Sequence, residues 1–310
     1  MRNHYQWKAY AALAAVCLFW GTTYLGIRIA LETFSPVQLV AIRYFISGSL
    51  MLVVAKFLKV HLPSGRELVF TALFGVLILG IGNGCLAFAE ELIPSGLAAI
   101  FITTSPFWMV GFEALLGGAG LHGPTIAGMM VGLLGTVLLV GPSAIQNGLG
   151  GPVVVGFFVL QFGSAGWSLG SILQRRHPTL AHPVISGAVQ QLATGIVYCI
   201  WALLAPAKPI HWTPRGVGAV LYLVVFGSIV GYSAYLYALE HLPVSVVSIY
   251  SYVNPVVAVF LGWLVFREAF GVREILAMCV IFVGVALVKR FSAAKTTAQP
   301  EAAADRYTKA

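Results

Sequence analysis

Ten stretches of about twenty mostly apolar residues succeed one another along this chain, at 9–30, 37–57, 68–90, 95–117, 124–141, 152–173, 184–205, 215–239, 244–266 and 271–289. A helix rises about 1.5 Å per residue, so about 20 residues cross the roughly 30 Å hydrocarbon core of a bilayer. A soluble fold is excluded on composition. With 59% hydrophobic and 9% charged residues there is too little polar surface to cover a core, since soluble domains carry about 25% charge. The first stretch is too long for a signal-peptide core and lacks a convincing cleavage site, so it is expected to remain as the first helix. Residues 291–310 are polar and Ala-rich and read as a disordered cytoplasmic tail.

The charges fix an expected orientation. With the N-terminus inside, the cytoplasmic segments hold twelve cations: Arg2, Lys8, Lys56, Lys59, Arg66, Arg175, Arg176, Lys289, Arg290, Lys295, Arg306 and Lys309. The opposite side holds four, Lys208, Arg215, Arg267 and Arg273, while Arg28 and Arg43 lie within spans. The positive-inside rule then puts both termini in the cytoplasm, as an even number of spans requires. The net charge of +8 thus reflects topology and implies no nucleic-acid partner. The cysteines Cys17, Cys85, Cys199 and Cys279 fall inside spans without metal-ligand spacing. Neither a metal nor a cofactor is expected.

The chain also repeats itself. An offset of 147 aligns Trp20 with Trp167, Arg28 with Arg175, Pro36 with Pro183 and Gly48 with Gly195. An offset of 149 aligns Gly82 with Gly231, Glu91 with Glu240, Pro94 with Pro243, Pro106 with Pro255 and Gly135 with Gly284. The change from 147 to 149 places a two-residue insertion between the second and third spans. Two repeats, 1–146 and 147–290, each hold five spans. Five is odd, so the second copy enters the membrane upside down, and the interface encloses a site that either face can reach. The expected fold is therefore an all-α membrane protein of ten transmembrane helices in two inverted five-helix repeats.

Helical spacing nominates cavity-facing residues. Gln161, Ser164, Ser168, Ser171 and Arg175 form one stripe, Ser228, Tyr232 and Tyr235 another, and Ser245, Ser248 and Tyr252 a third. Polar groups facing lipid are costly, so these stripes face protein or water. For the serines, helix–helix packing is an equal alternative. Arg43 lies about seven residues inside the second span. Its planar fork suits a carboxylate in a dry site, against the alternative of a fixed contact to helix-end carbonyls. Its repeat mate is Gln190. Asn83 is a further polar candidate within a span. Trp20, Trp108 and Trp167 fall mid-span, away from the interfacial belts, and would stack on a planar substrate or fill the repeat interface. Glu113 reads as the carboxylate inside a span, a candidate for proton coupling, with a helix-end role as the alternative. Glu90 and Glu91 read as closing the third span at the outer surface. Pro106 and Pro255 lie within helical stretches and are expected to kink them.

The segments WGTTYLGIRIAL (20–31), SPVQLVAIRYFISG (35–48), EELIPSGLAAIFITTSPFW (90–108), LEHLPVSVVSIYSYVNPVV (239–257) and GWLVFRE (262–268) resemble the drug/metabolite transporter superfamily, and within it the EamA family. The second copy departs from that pattern at SLGS (168–171), where the first has GTTY. The resemblance implies an inner-membrane secondary transporter working by alternating access. With the aromatic candidates, it implies an exporter of amino acids, aromatic ones included, and related small metabolites. Its partners would be that small-molecule substrate and the lipid bilayer, and a monomer is a plausible working state. A multidrug or quaternary-cation exporter is the alternative. An intramembrane enzyme is disfavoured: no Walker A, dinucleotide fingerprint or HExxH is present, and Asp305, the only aspartate, lies in the tail.

Overall fold

The computed structural model describes residues 2–57, 61–118, 120, 122–146, 151–177, 179, 181–204, 209–266 and 271–296. Among them every regular element is helical. We number these α1 (Arg2–Ala30), α2 (Pro36–Phe57), α3 (Gly65–Leu92), α4 (Ser95–Ile102), α5 (Ser105–Leu115) and α6 (Gly123–Gln146). The second half follows with α7 (Gly151–Arg176), α8 (Pro183–Leu204), α9 (Pro214–His241), α10 (Val244–Val247), α11 (Tyr250–Phe266) and α12 (Val272–Thr296). Seven helices are long and apolar enough to cross a bilayer: Gln6–Ala30, α2, α3, Leu97–Leu115, α7, α8 and α9. Gly123–Leu139 and Val244–Val257 are apolar but shorter. Helix α12 continues through Thr296, six residues into the expected tail; residues 297–310 lie outside the described set.

Helix boundaries recur at the offsets read from the sequence. Prolines open α2 and α8 at Pro36 and Pro183, where the missing N–H costs nothing and the fixed φ suits the first turn. Helices α3 and α9 start at Gly65 and Pro214 and each runs 28 residues, so the offset has become 149 before the third helix begins. Each of these two carries an eight-residue π-helical stretch, Val76–Asn83 and Leu223–Val230. Such turns are rare and leave carbonyls open to outside donors. The Gly80 carbonyl accepts from the Tyr198 hydroxyl at 2.7 Å, and the Gly227 carbonyl accepts from Trp20 Nε1 at 3.0 Å.

The fourth and ninth helices are broken, but not at the prolines. Between α4 and α5 the helix is interrupted at Thr103–Thr104, and Pro106 sits in the first turn of α5. Between α10 and α11 the interruption falls at Ser248–Ile249, and Pro255 lies inside α11. Hydroxyls take up carbonyls there: Thr103 Oγ1 donates to Ile100 O at 2.5 Å and Ser248 Oγ to Ser245 O at 3.0 Å. Side-chain hydroxyls thus compete with the helical ladder upstream of each ring.

Two helix pairs join the halves. A Cβ on Gly48 would lie 2.3 Å from Leu192 N, and one on Gly195 would lie 2.4 Å from Phe45 N. As the numbers rise on α2 they fall on α8, so the helices run antiparallel with their backbones in contact. The pair α6 and α12 does the same, through Gly135 against Ile281 and Gly284 against Gly132. In both cases the contact partners are themselves repeat mates, 45 with 192 and 132 with 281. Contacts of this reciprocal kind mark a two-fold relation.

Candidate functional site

A cavity opens where α1, α2, α3, α4, α5, α7 and α11 converge. Trp20, Thr23 and Tyr24 reach it from α1, Arg43 from α2, and Asn83 and Leu86 from α3. Opposite them stand Ser164 and Trp167 of α7, Ser105 of α5, and Tyr250 and Asn254 of α11. Both halves therefore contribute walls. The cavity is small, about 60 Å³. A water needs about 10–15 Å³ on this measure, so several waters fit and an amino acid enters only if the helices separate.

Arg43 supplies the charge. It is 5% exposed and donates through Nε to Ser228 Oγ at 2.7 Å. Its guanidinium carbon lies 4.9 Å from the Tyr44 ring centroid. Gly227 leaves room for it: a Cβ there would sit 2.7 Å from Arg43 Nη2. Among the described residues no carboxylate forms an ion pair with it. A guanidinium buried without an anionic partner is costly, and its planar fork has the geometry that pairs with carboxylates.

Aromatic rings make the floor. Trp20 and Trp167, repeat mates, meet edge-to-face with centroids 5.3 Å apart, and Trp20 meets Tyr250 the same way at 5.1 Å. Trp167 Nε1 donates to Tyr235 Oη at 3.0 Å, and Ser171 Oγ lies 2.7 Å from the same oxygen. The two indoles thus donate to oxygens behind them, Trp20 to Gly227 O and Trp167 to Tyr235 Oη, with faces and edges left to the cavity.

Of the sequence candidates, Trp20, Arg43, Asn83, Ser164 and Trp167 line the cavity. Tyr235 backs Trp167 from outside. Tyr232 donates to Gln190 Oε1 at 2.5 Å, and Gln190 Nε2 donates to Gln174 Oε1 at 2.9 Å, so these two form a buried polar link away from the wall. Tyr252 packs over Gly132 of α6. Trp108 and Gln161 are bonded to each other, Nε1 to Oε1 at 2.9 Å, and Trp108 is 37% exposed. The reason is the repeat itself. At an offset of 149, Asn83 and Leu86 correspond to Tyr232 and Tyr235, and the larger rings fill on one side the space that is open on the other.

Glu113 lies near the C-terminal end of α5, half-buried, with Arg176 Nη2 donating to its main-chain oxygen at 3.3 Å; it does not reach the cavity. Glu90, read with Glu91 as closing the third span at the outer surface in a solvated or gate-pairing role, is not solvated. Glu90 is wholly buried, and neither carboxylate oxygen has a hydrogen-bond partner. It follows Asn83 and Leu86 at positions +7 and +4, on the cavity-facing side of α3. That spacing is visible in the sequence, but the position at the end of a span points to the outer surface. Thr23, Tyr24, Ser105, Tyr250 and Asn254 also escaped sequence reasoning. Ser105 and Asn254 share an offset of 149, and that symmetry was the signal available.

The EamA-like transporter family model matches this chain twice, over residues 7–141 and 154–290. The chain belongs to the EamA-like transporter family. It is a membrane transporter of the drug/metabolite superfamily, and the double match is the duplication seen in the helix boundaries. An Escherichia coli K12 protein named "Uncharacterized inner membrane transporter YedA" is 35% identical over 282 residues, 90% of each chain. An Arabidopsis thaliana chloroplastic WAT1-related protein is 22% identical over 289 residues, 90% of this chain and 69% of that one. A solved crystal structure superposes with a TM-score of 0.76 at 22% identity, covering 94% of this chain and 99% of that one. At that identity the likeness concerns the fold alone.

Proposed function

We propose that this EamA-family member is an inner-membrane carrier with ten spans in two inverted five-helix repeats, both termini cytoplasmic, that exports amino acids, aromatic ones included. The observation that carries the reading is Arg43: a buried cation with no acidic partner among the described residues, beside two indole rings, in a cavity walled by both halves. A substrate carboxylate would take the guanidinium N–H groups, and a ring or aliphatic side chain would pack on Trp20 and Trp167. The antiparallel mates α2/α8 and α6/α12 support the inverted arrangement, since repeat mates that cross a bilayer in opposite senses must run antiparallel. Alternating access then consists of the halves rocking about these two seams, with the broken helices α4–α5 and α10–α11 supplying the bend.

The test is counterflow in proteoliposomes loaded with unlabelled tryptophan and given labelled tryptophan outside. Label uptake that phenylalanine and leucine suppress, and tetraphenylphosphonium does not, supports the reading. Suppression by the quaternary cation but not by amino acids would replace it with cation export.

A further inference from the structure

Glu90 stands out once the two halves are laid over each other. In the first half, Arg28 Nη1 donates to the main-chain oxygen of Glu90 at 2.7 Å. In the second half its mate Arg175 donates through Nη1 to the Leu242 oxygen at 3.0 Å. Both arginines thus satisfy carbonyls at the C-terminal end of a third helix, Glu90 in its last turn and Leu242 one residue past it, where cations are favoured. At an offset of 149, Glu90 corresponds to Leu239. The second half therefore makes the arginine contact without a carboxylate, and the acid is not needed to hold the arginine or end the helix.

The carboxyl group does not itself line the cavity, but residues next to it do. Leu86, one turn earlier on α3, and Tyr24 on α1 both line it. Tyr24 and Arg28 are the ionisable groups facing Glu90 from α1. Arg28 is engaged with the Glu90 main chain. From α2 the nearest cation in the cavity wall is Arg43. The α7 residues that meet α3, such as Gly163 and Trp167, bear no charge, as does all of α4; α11 presents Tyr250 and Asn254. Among the described residues, then, no donor completes either carboxylate oxygen. An ionised carboxylate in such a place is far more costly than a neutral carboxyl.

We propose that Glu90 is a proton-binding site of the transport cycle: it holds a proton while enclosed as here, and yields it to water when the cavity opens beside the C-terminal end of α3. Loading from water when the cavity opens to the opposite face, and release at this one, then carries one proton across per cycle, which couples transport to a pH gradient. The coupling step rests on the transporter reading above; the protonation state does not.

Infrared spectra of the purified full chain in lipid, taken across pH, decide the first point. Wild type shows a protonated carboxyl absorption at neutral pH that Glu90→Gln lacks and that Glu113→Gln and Glu90→Asp retain. A wild-type spectrum with no absorption at neutral pH that Glu90→Gln removes overturns the site. Labelled tryptophan uptake into proteoliposomes under an imposed gradient decides the second. For one proton per cycle, a gradient of about one pH unit drives accumulation about tenfold beyond equilibrium in wild type. In Glu90→Gln, uptake settles at the equilibrium level at whatever rate it is reached. Gradient-driven accumulation that survives in Glu90→Gln, or is missing from a transporting wild type, overturns coupling. A wild type that moves no tryptophan at all sinks the substrate proposal, while the infrared result still decides Glu90.

Discussion

At the crossing of α2 and α8, Gly48 and Gly195 hold equivalent places and meet equivalent partners, Leu192 and Phe45. At the cavity wall the same repeat supplies unlike residues: Arg43 against Gln190, Asn83 against Tyr232, Leu86 against Tyr235, Glu90 against Leu239. The difference has a physical origin. Two helices with backbones in contact share one spacing, so a side chain grown on either glycine collides with its mate's helix. A cavity wall faces open space and no mate, so its two halves are free to diverge toward whatever the cavity must bind.

Four experiments bear on that contrast. The largest effect is expected at the seam. Gly48→Leu and Gly195→Leu should each cost on the order of 3 kcal/mol, occasionally more. Both should therefore lower folded yield and the thermal midpoint in detergent. If one position tolerates leucine, the reciprocity of the crossing is broken. Next comes exchange of wall residues between halves. Arg43→Gln installs the second-half residue and removes charge-assisted hydrogen bonds worth about 1.5–3 kcal/mol, so tryptophan counterflow should fall by at least about tenfold. Gln190→Asn, on a residue away from the wall, should leave counterflow within about twofold, since 0.4 kcal/mol is all that factor represents. Asn83→Tyr places a second-half ring into a cavity of about 60 Å³. It should abolish counterflow while shifting the thermal midpoint by only a few degrees, the effect of about 1 kcal/mol; undiminished counterflow would show that cargo passes elsewhere.

The smallest effect lies at the starts of the third helices. Thr213 has extended backbone and accepts from Gly216 N at 3.0 Å, whereas its mate Ser64 makes no side-chain cap bond. Thr213→Ala should cost about 1 kcal/mol. Ser64→Ala should be close to neutral, both read from denaturation midpoints. Equal costs would mean that the two helix starts are alike after all.

How much of this was legible in advance depends on the residue. The break points of the fourth and ninth helices were assigned to Pro106 and Pro255, because a proline removes a donor and clashes with the preceding turn. The interruptions lie upstream, at Thr103–Thr104 and Ser248–Ile249, where hydroxyls bond to carbonyls three residues back. Tyr232 and Tyr252 share helical faces with other polar residues and read as cavity-facing, yet their partners, Gln190 and Gly132, hold both away from the wall. Glu90 and Glu91 read alike from the sequence because both stand at the end of a span. The chain turns at Pro94 with Glu91 exposed and Glu90 wholly buried, as neighbours about 100° apart on a helix can be.

From the sequence alone came the number and length of the apolar stretches, the duplication, its offsets and the presence of Arg43 within a span, because hydrophobic length and periodicity are local properties of the chain. Tertiary structure alone decided that repeat mates cross antiparallel, that one half's tyrosines close what the other half's smaller residues leave open, and that Glu90 rather than Glu113 is the enclosed carboxyl. Each of these depends on which side chains from distant segments occupy the same space, and no window of sequence contains that information.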